Sequence, residues 1–164
     1  MADQDFTLST FYTSWKEYHE HIRNAVATLT PEQLALRAAP GLRSIGENAA
    51  HIIGCRAGWF TQVLGEDGGA EMTDFMAWDE PDAVARTGEE LALGIDRTWQ
   101  FMAERLARWS EDDMRKTFTD DWDGVQVELS RAWIIWHIIE HDLHHGGEIS
   151  LTCGMHGIKA DFPG

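Results

Sequence analysis

The segment from Ser130 to Gly154 constrains the fold most, because a long apolar run there carries four histidines. Ser130 is a good helix cap, no proline interrupts the stretch, and Gly154 after Cys153 offers a stop. Trp133, Ile134, Ile135, Ile138, Ile139 and Leu143 place apolar side chains nearly all round such a helix. A helix of that kind is predicted to be central and buried. At about 100° per residue, His137, His141, His144, His145 and Glu148 share one stripe about 100° wide. Each histidine brings two ring nitrogens, and unpaired buried polar groups are costly. A metal ion would satisfy several of them at once. The alternative is a hydrogen-bonded core stripe, or a partly solvated helix edge, but grouped neutral imidazoles commonly coordinate metal.

Three further amphipathic segments accompany this one. Phe11, Trp15, Tyr18, Ile22, Val26 and Leu29 recur every three or four residues, and Thr30-Pro31 closes the stretch. Ser44-Ile45-Gly46-Glu47 is a capping box that opens a second helix through Ile45, Ala49, Ile52, Arg56, Trp59 and Val63, with Gly65 as its stop. Thr87-Gly88-Glu89-Glu90 opens a third, through Leu91, Ile95, Trp99, Met102, Leu106 and Trp109. Residues 65–80 are rich in Gly, Asp and Glu and read as a loop, with a short turn at Pro81. Such a loop stretches to about 50 Å, whereas a helix of about 20 residues spans about 30 Å. It can therefore cross the whole bundle and leave its flanking helices parallel. Val125, Val127 and Leu129 alternate after Asp123-Gly124, which predicts a short β-hairpin before the last helix. The expected architecture is all-α, a four-helix bundle with one hairpin, forming a single domain over residues 1–164.

Composition narrows the partners. Thirteen Lys and Arg stand against 28 Asp and Glu, a formal charge of −15. So few dispersed cations argue against nucleic acid and against anionic membrane surfaces. No apolar run approaches the length of a membrane span, and MADQDFTLST lacks the basic and apolar parts of a secretory leader. Cys55 and Cys153 form no disulfide framework, which fits reduced thiols in a cytoplasm. Eight tryptophans point to bulky packing or to an aromatic-lined cavity, with packing the simpler reading.

His51, on the second helix, can face the histidine helix across the bundle. Cys55, one turn on, is a conceivable ligand but reads better as a small hydrophobe. Glu47 could orient His51, although its capping role is better supported. His19 and His21 point different ways on the first helix and read as polar surface, and His156 lies in the tail. No His-Glu-x-x-His is present, nor the paired Glu-x-x-His of carboxylate-bridged di-iron bundles.

Ile45-Gly46-Glu47 with Ala50-His51-Ile52, and His141-x-x-His144-His145-x-Gly147, together resemble the DinB (damage-inducible) family over essentially the whole chain. The resemblance implies an up-down-down-up bundle, often a homodimer, with one divalent ion (nickel or zinc) on His51, His141 and His145. Relatives include bacillithiol- and mycothiol-dependent S-transferases and isomerases. Where the family usually has Arg and Gln, this chain has Gly146 and Glu148, which removes a contact for an anionic substrate and adds an acid.

Three imidazoles leave an open coordination position, the mark of a catalytic site. The expected function is a metal-dependent enzyme, an S-transferase or hydrolase type, that activates a low-molecular-weight thiol or water. His144, Glu148 and His137 are the candidates for proton transfer. The alternative is a stress-response protein that binds metal or ligand without turnover.

Overall fold

The computed structural model describes residues 8–160 and Phe162. The expectation about a leader falls chiefly on residues 1–7, outside the described residues. In chain order, α1 (Leu8–Ala27) is followed by the single turn α2 (Pro31–Leu34). Next comes α3 (Ile45–Gly58), which continues through a π-helical turn at Trp59–Val63. Then come α4 (Gly69–Met76), a 3-10 turn at Ala77–Asp79, α5 (Gly88–Leu106) and the turn α6 (Glu111–Met114). The strands β1 (Thr117–Trp122) and β2 (Val125–Ser130) precede α7 (Arg131–Met155).

Local chemistry sets the boundaries. Ser44 and Thr87 accept the N3 amides of their helices, and Glu47 and Glu90 return the bond to the cap amides. Ser130 accepts from the Trp133 amide and caps α7. Gly65, at φ 68°, takes the left-handed conformation that ends the α3 continuation. Asp123 and Gly124 both have positive φ, as a two-residue hairpin turn of type I′ needs, and β1 pairs antiparallel with β2 from Trp122↔Val125 to Thr117↔Ser130.

Pair contacts give the topology. Trp15 meets Trp99 and Arg23 pairs with Asp96, so α1 and α5 are antiparallel. Arg56 reaches the Ile95 carbonyl and Phe60 meets Phe101, so α3 and α5 run parallel. His51 meets His145 and Trp59 meets Trp133, so α3 and α7 are antiparallel. The bundle is therefore up-down-down-up, and the 65–87 connection crosses its length. Ile22, Ile45, Ile52, Ile95, Ile134 and Ile138 are fully buried between the four long helices. Burial of each contributes about 1.5–3 kcal/mol relative to exposure.

Three sequence expectations need correction. Residues 65–80 are not a plain loop, because α4 and its 3-10 extension bury Met72, Phe75 and Trp78 against α3. The helix α7 is not buried all round, since Trp136, Leu143, Leu151 and Met155 stand exposed along one side. His19 is not surface: it is 4% exposed, stacked on Trp99 at 5.1 Å and 3.4 Å from Asp96. No helix among the described residues is long and apolar enough to cross a membrane, and Cys55 and Cys153 are both free.

Candidate metal centre

Antiparallel packing of α3 on α7 brings His51 against two histidines one turn apart. The His51 ring lies 4.7 Å from that of His141 and 4.6 Å from that of His145, and the last two are 4.4 Å apart. One nitrogen from each falls within a 4.8 Å group. His51 Nε2 and His141 Nε2 approach to 3.0 Å. Two imidazole nitrogens bound at 2.0–2.1 Å to one ion sit about 3.0–3.4 Å apart, so this spacing suits adjacent ligands.

Carboxylates fix two of the rings. His51 Nδ1 donates to Asp79 Oδ2 at 2.7 Å, and His145 Nδ1 donates to Glu148 Oε2 at 2.7 Å. Each bond holds the ring in the tautomer whose Nε2 lone pair is free for a cation. Asp79 reaches His51 because Gly54 lets the 3-10 turn close on α3: a Cβ at position 54 would stand 2.9 Å from the Asp79 Cβ. Burial, reinforced by His145 and His51, pushes the His141 pKa down to about 2. His145 is also lowered, because burial outweighs the nearby Glu148 carboxylate. Neutral imidazoles are the form that binds metal. The His141 Nδ1 is buried with no hydrogen-bond partner among the described residues.

Beneath the cluster lies an ion pair that sequence reasoning missed. Arg56 and Asp142 are completely buried, and Arg56 Nη2 donates to Asp142 Oδ2 at 2.7 Å. Arg56 Nε contributes at 3.1 Å and Trp15 Nε1 donates to the same carboxylate at 2.6 Å. Asp142 follows His141 directly, so this pair ties the histidine turn of α7 to α3 and α1. The signal was present in the sequence: an arginine within the apolar stripe of the second helix demands a buried counter-charge.

The cluster opens on a cleft of about 590 Å³ lined by His51 and His141, with Trp59 and His137 on its wall. His137 is stacked on Trp133 at 5.1 Å and meets Trp59 edge-on at 4.9 Å. The π-helical turn brings Trp59, Gln62 and Val63 to this wall. Cys55 also lines the cleft, but it joins no ligating group among the described residues and burial pushes its thiol well above the ordinary range. His144 and Glu148 do not line this cleft. His144 is largely exposed, with its Nε2 3.4 Å from Glu148, and Glu148 borders a different recess beside Asn48 and Thr152. His144, His145 and Glu148 form a second close group. Glu47 caps α3 and pairs with Arg37 rather than touching His51.

The DinB family's sequence profile matches residues 1–158. The chain belongs to the DinB family. Solved structures share its fold. A DinB-like protein from Bacillus cereus superimposes with a TM-score of 0.72 at 22% identity, over 95% of each chain. A conserved protein from Enterococcus faecalis gives 0.67 at 14% identity, over 90% of this chain and 98% of that one. No curated protein matches the sequence significantly. In this DinB chain Gly146 packs on α1: a Cβ there would lie 2.6 Å from the Tyr18 hydroxyl.

Proposed function

We propose that this DinB protein is a metal-dependent enzyme of the S-transferase or hydrolase type. His51, His141 and His145 would hold one divalent ion, zinc or nickel. The observation that carries the reading is that three imidazoles converge within 4.8 Å of one another beside an open, aromatic-walled cleft. When bound, the ion supplies Lewis acidity that favours the deprotonated form of a thiol or water in the cleft.

The surrounding residues then have separate tasks. Asp79 and Glu148 orient His51 and His145 through their Nδ1 atoms. His137, held between Trp59 and Trp133, faces the cleft and is the group placed to move a proton. His144 supports Glu148 from the solvent side. The family's homodimer has a surface available in the exposed apolar side of α7, and the free cysteines suit a cytoplasmic setting.

The test is a panel of thiol-transfer and hydrolytic substrates on zinc-loaded and nickel-loaded protein, beside His137→Gln. Turnover that requires metal and drops about 10²–10⁴-fold in the variant, with metal retained, supports the reading. Metal-loaded protein with no turnover on any substrate contradicts it.

A further inference from the structure

Beside its histidines, the cleft has three carboxylates on its wall, Asp79, Glu80 and Asp120, and no lysine or arginine among the described residues. Asp120 comes from β1 and, among the described residues, accepts from neutral donors, the Asp121 amide and the Trp122 indole N–H, both at 2.9 Å. Glu80 is exposed. Nearby cations are committed elsewhere. Arg56 is buried on Asp142, while Arg43 and Arg86 line a separate cleft on the far side of the Asp79–Glu80 segment, with Arg86 lying over Trp78. Position 146 is a glycine packed against the Tyr18 ring and supplies no cation either. Trp59 also lines the wall, and an indole ring attracts cations rather than anions over its face.

We propose that the cleft selects small thiols bearing an ammonium group over neutral or acidic ones. The sulfur would turn toward the histidine cluster and the ammonium toward Asp120 and Glu80. This rests on the thiol reading above and narrows its substrate class. Carboxylates facing a low-dielectric wall repel a second anion and hold a cation, an effect that salt weakens where the groups are exposed.

The experiment uses the full chain loaded with cobalt(II), whose thiolate absorption band reports binding without turnover. Cysteamine, 2-mercaptoethanol and mercaptoacetate are titrated at one pH and about 0.1 M salt. The same series is run on Glu80→Gln/Asp120→Asn, with cobalt content and thermal melting measured alongside. Intrinsic thiol acidity is identical against both proteins, so the change in the cysteamine-to-mercaptoacetate affinity ratio isolates the charge of the cleft. The expected result is tighter binding of cysteamine by the native chain and at least a fivefold fall of that ratio in the variant, with cobalt content unchanged. A smaller fall, or tighter mercaptoacetate binding by the native chain, overturns the charge preference while leaving the thiol reading intact. Absence of a thiolate band with all three ligands on cobalt-loaded protein overturns the thiol reading itself.

Discussion

Replacing Asp142 by leucine should be among the most damaging single changes in this chain, although Asp142 touches neither cleft nor metal ligand atoms. Its carboxylate takes Arg56 Nη2 at 2.7 Å, Arg56 Nε at 3.1 Å and Trp15 Nε1 at 2.6 Å, and neither charged side chain has any exposure. Leucine leaves a guanidinium in the core with little more than the Ile95 carbonyl at 3.4 Å and the His19 ring. Breaking a buried pair by removing one partner costs about 3–5 kcal/mol. The orphaned Trp15 N–H adds about 1–3 kcal/mol where the core does not relax. Against a total stability of about 5–15 kcal/mol, a loss near 4 kcal/mol lowers Tm by about 10–15 °C in a chain of this size. Urea unfolding of metal-free protein should show the midpoint falling with an unchanged slope. The double variant Arg56→Met/Asp142→Leu should recover most of the loss, because an apolar pair of similar volume needs no counter-charge. A loss below about 1 kcal/mol for Asp142→Leu, or a double variant less stable than the single, would refute the assignment of the pair as the anchor between α3 and α7.

Three other consequences are open to measurement. Asp79→Asn, or Gly54→Ala, which pushes the Asp79 turn off α3, should weaken zinc binding by competition titration about 10–100-fold; unchanged affinity would show that Asp79 does not orient His51. His19 has its pKa lowered to about 3, chiefly by burial and then by Arg56, so the folded chain holds it neutral while the unfolded chain protonates near 6.5. The stability this confers is complete above about pH 6.5 and is lost as pH falls toward 3, so between pH 6 and 5 His19→Gln should remove about 1 kcal/mol per pH unit from the slope of metal-free unfolding. An equal slope in both proteins would argue against a buried neutral His19. For the homodimer, Leu151→Glu on the exposed side of α7 should give a monomer by sedimentation while the native chain is a dimer; identical masses would remove that surface from consideration.

Much of the fold was legible because local rules carried it. Ser44, Thr87 and Ser130 are caps whose side chains accept N-terminal amides, and Asp123-Gly124 adopts the positive φ angles its residue types allow. The helical stripes gave the buried faces of α1, α3 and α5, and the long connection did leave α3 and α5 parallel. Short elements escaped: α4 has eight residues, begins at Gly69 and is held on α3 by Met72 and Phe75, with Trp78 of the following 3-10 turn, rather than by a long stripe. The exposure of Trp136, Leu143, Leu151 and Met155 on α7 was not readable, since apolar content does not say which side of a helix meets the core.

The site was legible to the extent that it sits on helix periodicity. His141 and His145 are one turn apart on α7, and the facing His51 came from the family pattern. What orients them was not, because Asp79 approaches from 28 positions away on a turn whose course no local pattern dictates. The Arg56–Asp142 pair joins residues 86 positions apart. His19 was misread because its histidine neighbour His21 made the pair look like solvated surface, whereas its own spacing from Trp15 and Ile22 puts it on the buried side of α1.

The central claim is that three histidines share one ion, and metal stoichiometry tests it most directly. Untagged protein equilibrated with zinc or nickel and freed of loose ions should retain about one ion per chain by elemental analysis. His141→Ala, with its fold verified by circular dichroism and melting, should retain essentially none, because the two remaining imidazoles hold a metal weakly. Full occupancy in a folded His141→Ala chain would contradict the claim.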